Sequence, residues 1–162
     1  MDRSLWRMGR LRENRDRLRL GNVKILVGDG LSLPLRGPRY DRVLLDVPCT
    51  GLGVLARRAD LRWRVKEDDI ERLALLGGRL LGMGADAVEP GGRLVYSTCT
   101  TEPEENERVV ERFLEKDRRF RLEPPERPVP EDTLGPDGTL RVFPETHGCD
   151  GAFAARLRRI ES

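Results

Sequence analysis

Cysteine is scarce in this 162-residue chain, and its three copies, Cys49, Cys99 and Cys149, make no complete disulfide framework and contain no CxxC element for zinc. A reducing compartment and no metal are therefore expected. No apolar run approaches the roughly 20 residues that span a bilayer, and residues near Met1 lack the apolar core of a signal peptide. The expectation is a soluble, cytoplasmic protein with no membrane partner. Histidine occurs once, so a histidine-dependent general base would have to be His147. His147 and Cys149, in the turn THGCDG, read as loop positions. Glutamine is absent and arginine far outnumbers lysine, a bias that suits a thermophile or a GC-rich genome equally well. There is no internal repeat and no low-complexity tract.

Against those absences stand periodic apolar runs in a chain that is 36% charged and 38% hydrophobic, a balance that folds rather than one that stays disordered. The length suits one domain, 1–162. The net charge of +2 hides two basic regions. Residues 1–24 carry eight Arg or Lys against three acids, and residues 56–66, ARRADLRWRVK, carry five against one with Trp63 among them. Arg57, Arg58, Arg62 and Arg64 around an aromatic suit a phosphate backbone with one stacked base, although solvated surface explains the composition as well.

Leu5, Met8, Leu11, Leu18 and Leu20 predict an amphipathic helix over 5–20, with Gly21 as a stop. VKILVGDG and YDRVLLDVP each read as a strand ending in an acid, Asp29 and Asp46. Residues 67–89 have helical periodicity, and Gly77 and Gly78 inside it point to a close packing partner. GRLVYSTC reads as a buried strand. Residues 102–116 follow as a helix, with Thr101 and Glu104 at capping-box spacing and Pro103 in the first turn. FRLEP, TLRVFP and GAFAARLRRI read as short strands, the first two separated by the Pro-rich loop 124–136. Alternating strands and helices predict an α/β fold with a mostly parallel sheet, in which ligands bind beyond the carboxyl ends of the strands. Asp29, Asp46, Cys49 and Cys99 all fall on that rim. Cys99, at a strand end and just before the expected helix, is placed to be a thiolate nucleophile. A buried structural cysteine is the plain alternative. Cys49 lies in DVPCTGLG, where Gly51 and Gly53 permit a tight loop.

Two motifs narrow the choice. Asp46-Val47-Pro48-Cys49-Thr50-Gly51, and Ser97-Thr98-Cys99-Thr100 followed by Pro103-Glu104-Glu105-Asn106-Glu107, resemble the signature motifs of RNA (cytosine-5) methyltransferases. The resemblance continues through Arg57-Arg58, residues 61–64, Asp69-Ile70 and FPETHGCDGAFAARL, and so covers nearly the whole chain.

The resemblance implies a Rossmann-like class I methyltransferase sheet that methylates C5 of cytosine in ribosomal or transfer RNA, with S-adenosylmethionine as methyl donor. It implies that Cys99 attacks C6 of the base, that Cys49 assists release of the RNA, that Asp46 lies near cofactor and base, and that Asp29 meets the cofactor's adenosine part. The base must be unstacked and swung out for such chemistry. The family's glycine-rich cofactor loop, its first two strands and its ribose-binding acid have no match in these 162 residues. The expectation is therefore a partial catalytic domain, inactive alone, served by a separate N-terminal polypeptide or by self-association. With those strands missing, residues 23–28 and 42–47 are expected to pair directly in parallel or to be covered by another chain. A non-catalytic RNA-binding or partner-binding remnant is the alternative. A DNA cytosine methyltransferase would give Cys49 the nucleophile's role, against which the Thr98-Cys99 motif argues.

Overall fold

The computed structural model describes residues 1–33, 37, 38, 40–126 and 128–160. Residues 34–36 and 39, and residue 127 of the Pro-rich loop expected over 124–136, lie outside these. The chain divides into two compact units, Met1–Arg36 and Gly37–Ser162. Among the described residues no helix is long and apolar enough to cross a membrane.

The first unit is built on helix α1 (Leu5–Arg17). Ser4 caps it by accepting the Arg7 N–H at 3.3 Å, and the helix stops three residues short of the expected end, before Arg19 adopts a left-handed φ of 54°. The strand expected over 23–28 does not form. Its backbone bonds go instead to the N-terminal segment, where Gly28 N–H donates to the Asp2 carbonyl and Asp2 N–H to that of Leu26.

The second unit is a five-stranded sheet flanked by helices. Strand β1 (Tyr40–Asp46) leads through a short helix, α2 (Leu61–Arg64), into the long helix α3 (Glu67–Ala87) and back along β2 (Val88–Thr98). Acidic residues Glu67, Asp68 and Asp69 complement the first turn of α3, and Asp69 accepts the Lys66 N–H at 3.0 Å. Helix α4 (Glu107–Lys116) follows, then β3 (Phe120–Leu122), β4 (Leu140–Val142), α5 (Pro144–His147) and β5 (Ala152–Arg159).

The mostly parallel sheet is a correction. Among the described residues β1 and β2 are the only named strands that pair in parallel, and β5 runs antiparallel to β2, β3 and β4. The strand–helix alternation did fix the direction of β1, β2 and β3, which all run the same way. What it does not encode is that the last strand turns back and wedges between β2 and β3. Within the sheet β1 bonds to β2 alone among the described residues, so its expected pairing with 23–28 is not made.

Strand β2 alternates between a buried face carrying Leu94, Tyr96 and Thr98 and a half-buried one carrying Arg93, Val95 and Ser97. The buried face meets Ala74, Leu81 and Ala85 of α3 and Val109, Val110 and Phe113 of α4 in one core, which Phe153, Ala155 and Leu157 of β5 complete. Of the two glycines expected to have a close packing partner, Gly77 has one and Gly78 does not, its position meeting only Val109 at 3.9 Å, while Gly84 is a further tight site. A Cβ on Gly77 would lie 2.7 Å from the Tyr96 hydroxyl, and one on Gly84 2.7 Å from Leu45.

Candidate active site

Strands β1 and β2 run side by side with Asp46 opposite Ser97, so the segments that follow them, each carrying a Cys-Thr pair, emerge together. The Cys49 and Cys99 sulfurs stand 3.4 Å apart. Cys99 is exposed at the rim and Cys49 half-buried behind it.

Buried polar bonds set this approach. Thr50 donates its N–H to one oxygen of Glu105 at 2.9 Å and its hydroxyl to the other, and its Oγ1 lies 2.9 Å from that of Thr100. Glu105, only 1% exposed, thereby ties the Cys49 loop to the Cys99 loop without a cation. Asn106, also buried, accepts from the Thr98 hydroxyl and donates to the Thr100 carbonyl at 3.0 Å. The Tyr96 hydroxyl donates to the Glu105 carbonyl at 2.6 Å. On the far side Gly53 donates its N–H to the Cys99 carbonyl at 3.1 Å and accepts from Gly151 at 2.7 Å, a backbone contact that only glycine allows.

These bonds also shorten the helix expected over 102–116, which begins at Glu107. Glu105 and Asn106 turn their side chains towards the threonines, and residues 103–106 form turns. The helix dipole is therefore not what acidifies Cys99. Its pKa is lowered from the ordinary 9.0 to about 7, first because the Cys49 thiol donates a hydrogen bond to its sulfur, against opposition from partial burial and the Asp46 charge. The Cys49 thiol is correspondingly pushed up, by that same bond and by burial. The Cys99 N–H at 3.4 Å from the Cys49 sulfur pulls the other way, and the better solvated sulfur, Cys99, is the one whose pKa falls. Burial raises the Glu105 pKa against its threonine hydrogen bonds, and burial followed by the charge of Glu105 raises that of Tyr96.

Asp46 is exposed at the end of β1, near enough for its charge to act on Cys99. Asp29 belongs to the first unit, where it accepts the Leu31 N–H at 2.9 Å and faces Arg3 at 3.7 Å. The basic candidates surround α2. Arg57 pairs with Asp150, and Arg58 and Arg64 share Asp60 at 3.1 Å each. Arg62 has no ion-pair partner among the described residues, and Trp63 is 86% exposed. His147 sits on α5, not in a loop, and both nitrogens of its ring are engaged by backbone groups of Phe143 and Asp132. Cys149 is exposed in the following turn. The residues that sequence reasoning missed are Thr50, Thr100, Glu105 and Asn106. Their signal was the repeated Cys-Thr pair at two strand ends, matched to a run of polar residues too dense for an ordinary helix start.

The crossover from β1 through α3 to a parallel β2 is a Rossmann-like unit with its candidate residues at the carboxyl ends of the strands, and the likeness to solved methyltransferase structures shows the class I methyltransferase fold. The family model described as 16S rRNA methyltransferase RsmB/F matches residues 1–158, and the chain belongs to that family. It is 43% identical over 162 residues to a Synechocystis protein named probable ribosomal RNA small subunit methyltransferase B, covering 98% of this chain and 36% of the relative. It is 43% identical over 125 residues to the Thermus thermophilus ribosomal RNA small subunit methyltransferase B, covering 76% of this chain and 30% of the relative. Among solved structures it resembles NSun6 from Pyrococcus horikoshii with SFG, at a TM-score of 0.85 and 33% identity over 99% of this chain and 40% of that one. The chain thus spans about a third of the length of the curated relatives it matches.

Proposed function

We propose that residues 1–162 are part of one methyltransferase domain and carry the nucleophilic half of its active centre, acting on C5 of cytosine in ribosomal RNA. The observation that carries this reading is the exposed, acidified Cys99 with Cys49 3.4 Å behind it and Asp46 beside it. Family membership supplies the substrate class.

In this reading the Cys99 thiolate attacks C6 of an unstacked cytosine. A bond forms between Sγ and C6, and the ring's C5–C6 π pair moves towards C5, which becomes nucleophilic. Asp46 is the group placed to hydrogen-bond the ring as its charge changes. Once C5 has been methylated, its proton passes to water, the freed pair re-forms the C5–C6 double bond, and the Sγ–C6 bond breaks with its electron pair returning to Cys99. The donated Cys49 S–H stabilises the departing thiolate, as it stabilises the free one. Arg62, with no ion-pair partner among the described residues, and Trp63 offer a cation and an open ring face to the flanking nucleotides.

S-adenosylmethionine would supply an electrophilic methyl group. The residues present fit it only in part, since Asp46 is an open acceptor while Asp29 is engaged by Leu31 and Arg3, and the glycines that follow β1 among the described residues include Gly53, whose backbone is already bonded to Cys99 and Gly151. No step is therefore assigned to it, and the 162-residue polypeptide assayed alone is expected to be inactive and to bind S-adenosylmethionine weakly. Calorimetry giving a low-micromolar dissociation constant would contradict that.

The test of the cysteines supplies the family's cofactor-loop segment as a fusion or a second polypeptide and follows methylation and covalent protein–RNA adduct on denaturing gels. Cys99→Ala is expected to lose both, by at least about a thousandfold in rate. Cys49→Ala is expected to accumulate the adduct. An adduct in Cys99→Ala but not in Cys49→Ala would reverse the roles, and RNA binding without methylation in any fusion would favour a non-catalytic remnant.

A further inference from the structure

The sulfur pair has a chemistry of its own. A disulfide bond is about 2.05 Å long, so sulfurs 3.4 Å apart need to close by only about 1.4 Å. Their proximity is built in, because the Thr50–Glu105–Thr100 bonds and the Gly53–Cys99 bond hold both loops in place. Cys99 is open to a small oxidant, and Cys49 waits behind it. We propose that Cys49 and Cys99 form an oxidation site for hydroperoxides, in which Cys99 is oxidised first and Cys49 closes the pair as a reversible intramolecular disulfide.

The Cys99 thiolate attacks the outer oxygen of the hydroperoxide, the O–O bond breaks, and the alkoxide or hydroxide takes a proton from water. Cys99 is then a sulfenic acid, oxidised by two electrons, while the peroxide has been reduced by two. The Cys49 sulfur next attacks Cys99 Sγ, the S–O bond breaks, and the departing hydroxide leaves as water with the Cys49 proton. The balance is two thiols and one hydroperoxide giving one disulfide, one alcohol or water, and one further water. A dithiol reverses it by exchange. Cys99 meets the requirements of a peroxide-sensitive thiol, being both exposed and a thiolate near neutral pH. Cys149 is exposed too, but the described residues place no second sulfur beside it, so it has no partner with which to close.

The disulfide rests on the 3.4 Å sulfur separation and the exposure of Cys99, with its acidity in support. That it would silence the protein rests on the reading of Cys99 as nucleophile.

The test treats the reduced 162-residue chain with equimolar hydrogen peroxide at pH 7, quenches with N-ethylmaleimide in denaturant, and maps peptides by mass spectrometry. The expected product is a Cys49–Cys99 cross-linked peptide in monomeric chain, formed at a rate independent of protein concentration and reversed by dithiothreitol. Cys99 should lose its maleimide label roughly tenfold faster than Cys149. Cys49→Ser should lose the cross-link and leave a Cys99 sulfenic acid that dimedone traps. Over-oxidation of Cys99 with Cys49 still free, or cross-links through Cys149, would overturn the proposal even if the variant fails to fold, because both are read in the native chain. In the methylating fusion described above, a cross-link that leaves methylation intact would uphold the oxidation site and defeat the nucleophile reading.

Discussion

The cysteine rim and the basic segment around α2 lie in the same unit, yet they are built in opposite ways. Each cysteine loop is pinned by polar groups that are themselves buried, Thr50, Thr100, Glu105 and Asn106, so the sulfurs are held before any substrate arrives. Around α2 the charges Arg58, Arg64 and Asp60 bond to one another at the surface, and Trp63 touches little. Surface pairs of this kind contribute about 0–1 kcal/mol and exchange partners easily. A reacting group gains from being fixed in advance, whereas a surface that meets a long polyanion gains from side chains that can re-pair. Substitutions should therefore cost folding stability at the rim and ligand affinity at α2.

The largest effect is expected where backbone meets backbone. An alanine Cβ at Gly53 would sit 2.8 Å from the Cys99 carbonyl oxygen and 2.9 Å from Gly151, with no flexible side chain to yield. Gly53→Ala should cost about 3 kcal/mol in denaturant unfolding. Gly82→Ala, in α3 with nothing within 4 Å, should instead stabilise by about 0.5–1 kcal/mol. Equal effects at the two sites would remove the distinction drawn for Gly53.

Next comes Glu105. Glu105→Ala strands the Thr50 donors and should cost about 2 kcal/mol, while Glu105→Gln keeps one acceptor and should cost about half as much. The pH dependence carries a definite sign. Burial raises the folded-state pKa of Glu105, so its contribution is fully present below the unfolded value and fades as pH rises through the raised one. The amide does not titrate, so the penalty of Glu105→Gln should shrink from pH 4 towards pH 8. A penalty that grows with pH would mean that the carboxylate is stabilised in its charged form.

Why some of this was legible and some not follows from the physics of each feature. Strand β1, helix α3 and the strand through Tyr96 were readable because local periodicity and burial agree there. The place of β5 between β2 and β3 is a long-range choice that leaves no mark on its own alternation, AFAARLRR. Residues 23–28 carry strand-forming side chains but hydrogen-bond to Asp2, because tertiary partners outweigh propensity. The helix start at 102 was misplaced for a related reason. Capping-box spacing assumes that polar side chains serve their own helix, and Glu105 and Asn106 serve two loops that lie 50 residues apart in sequence. Cys49 and Cys99 were named from motifs, but their pairing became visible only with the register of β1 and β2.

At α2, Trp63→Ala should weaken binding of single-stranded RNA by about 1–2 kcal/mol at fixed salt, the value of one lost stacking platform, and leave unfolding unchanged within about 0.5 kcal/mol. Arg62→Ala should weaken it more than Arg58→Ala, since the Arg58 guanidinium is already bonded to Asp60. Fluorescence anisotropy with a labelled oligonucleotide reads both. A loss of stability without a loss of affinity at Trp63 would place this residue with the rim instead.

The smallest expected effect tests whether the rim tunes chemistry as well as position. With a pKa near 7, Cys99 is about half thiolate at pH 7, so its alkylation rate should climb steeply through neutrality and level off above pH 8. The leading cause is the hydrogen bond from Cys49, so Cys49→Ala should move the curve towards the ordinary value of 9.0. At pH 7 that change lowers the thiolate fraction about fiftyfold, but the more basic thiolate is about six to ten times more nucleophilic, leaving a net slowing of roughly fivefold. Cys49→Ser, which keeps a donor near the same place, should recover part of it. The Asp46 charge opposes the thiolate, so Asp46→Asn should shift the curve slightly the other way. A profile indifferent to Cys49 would leave the sulfur pair a matter of proximity alone, and the acidity of Cys99 would need another cause.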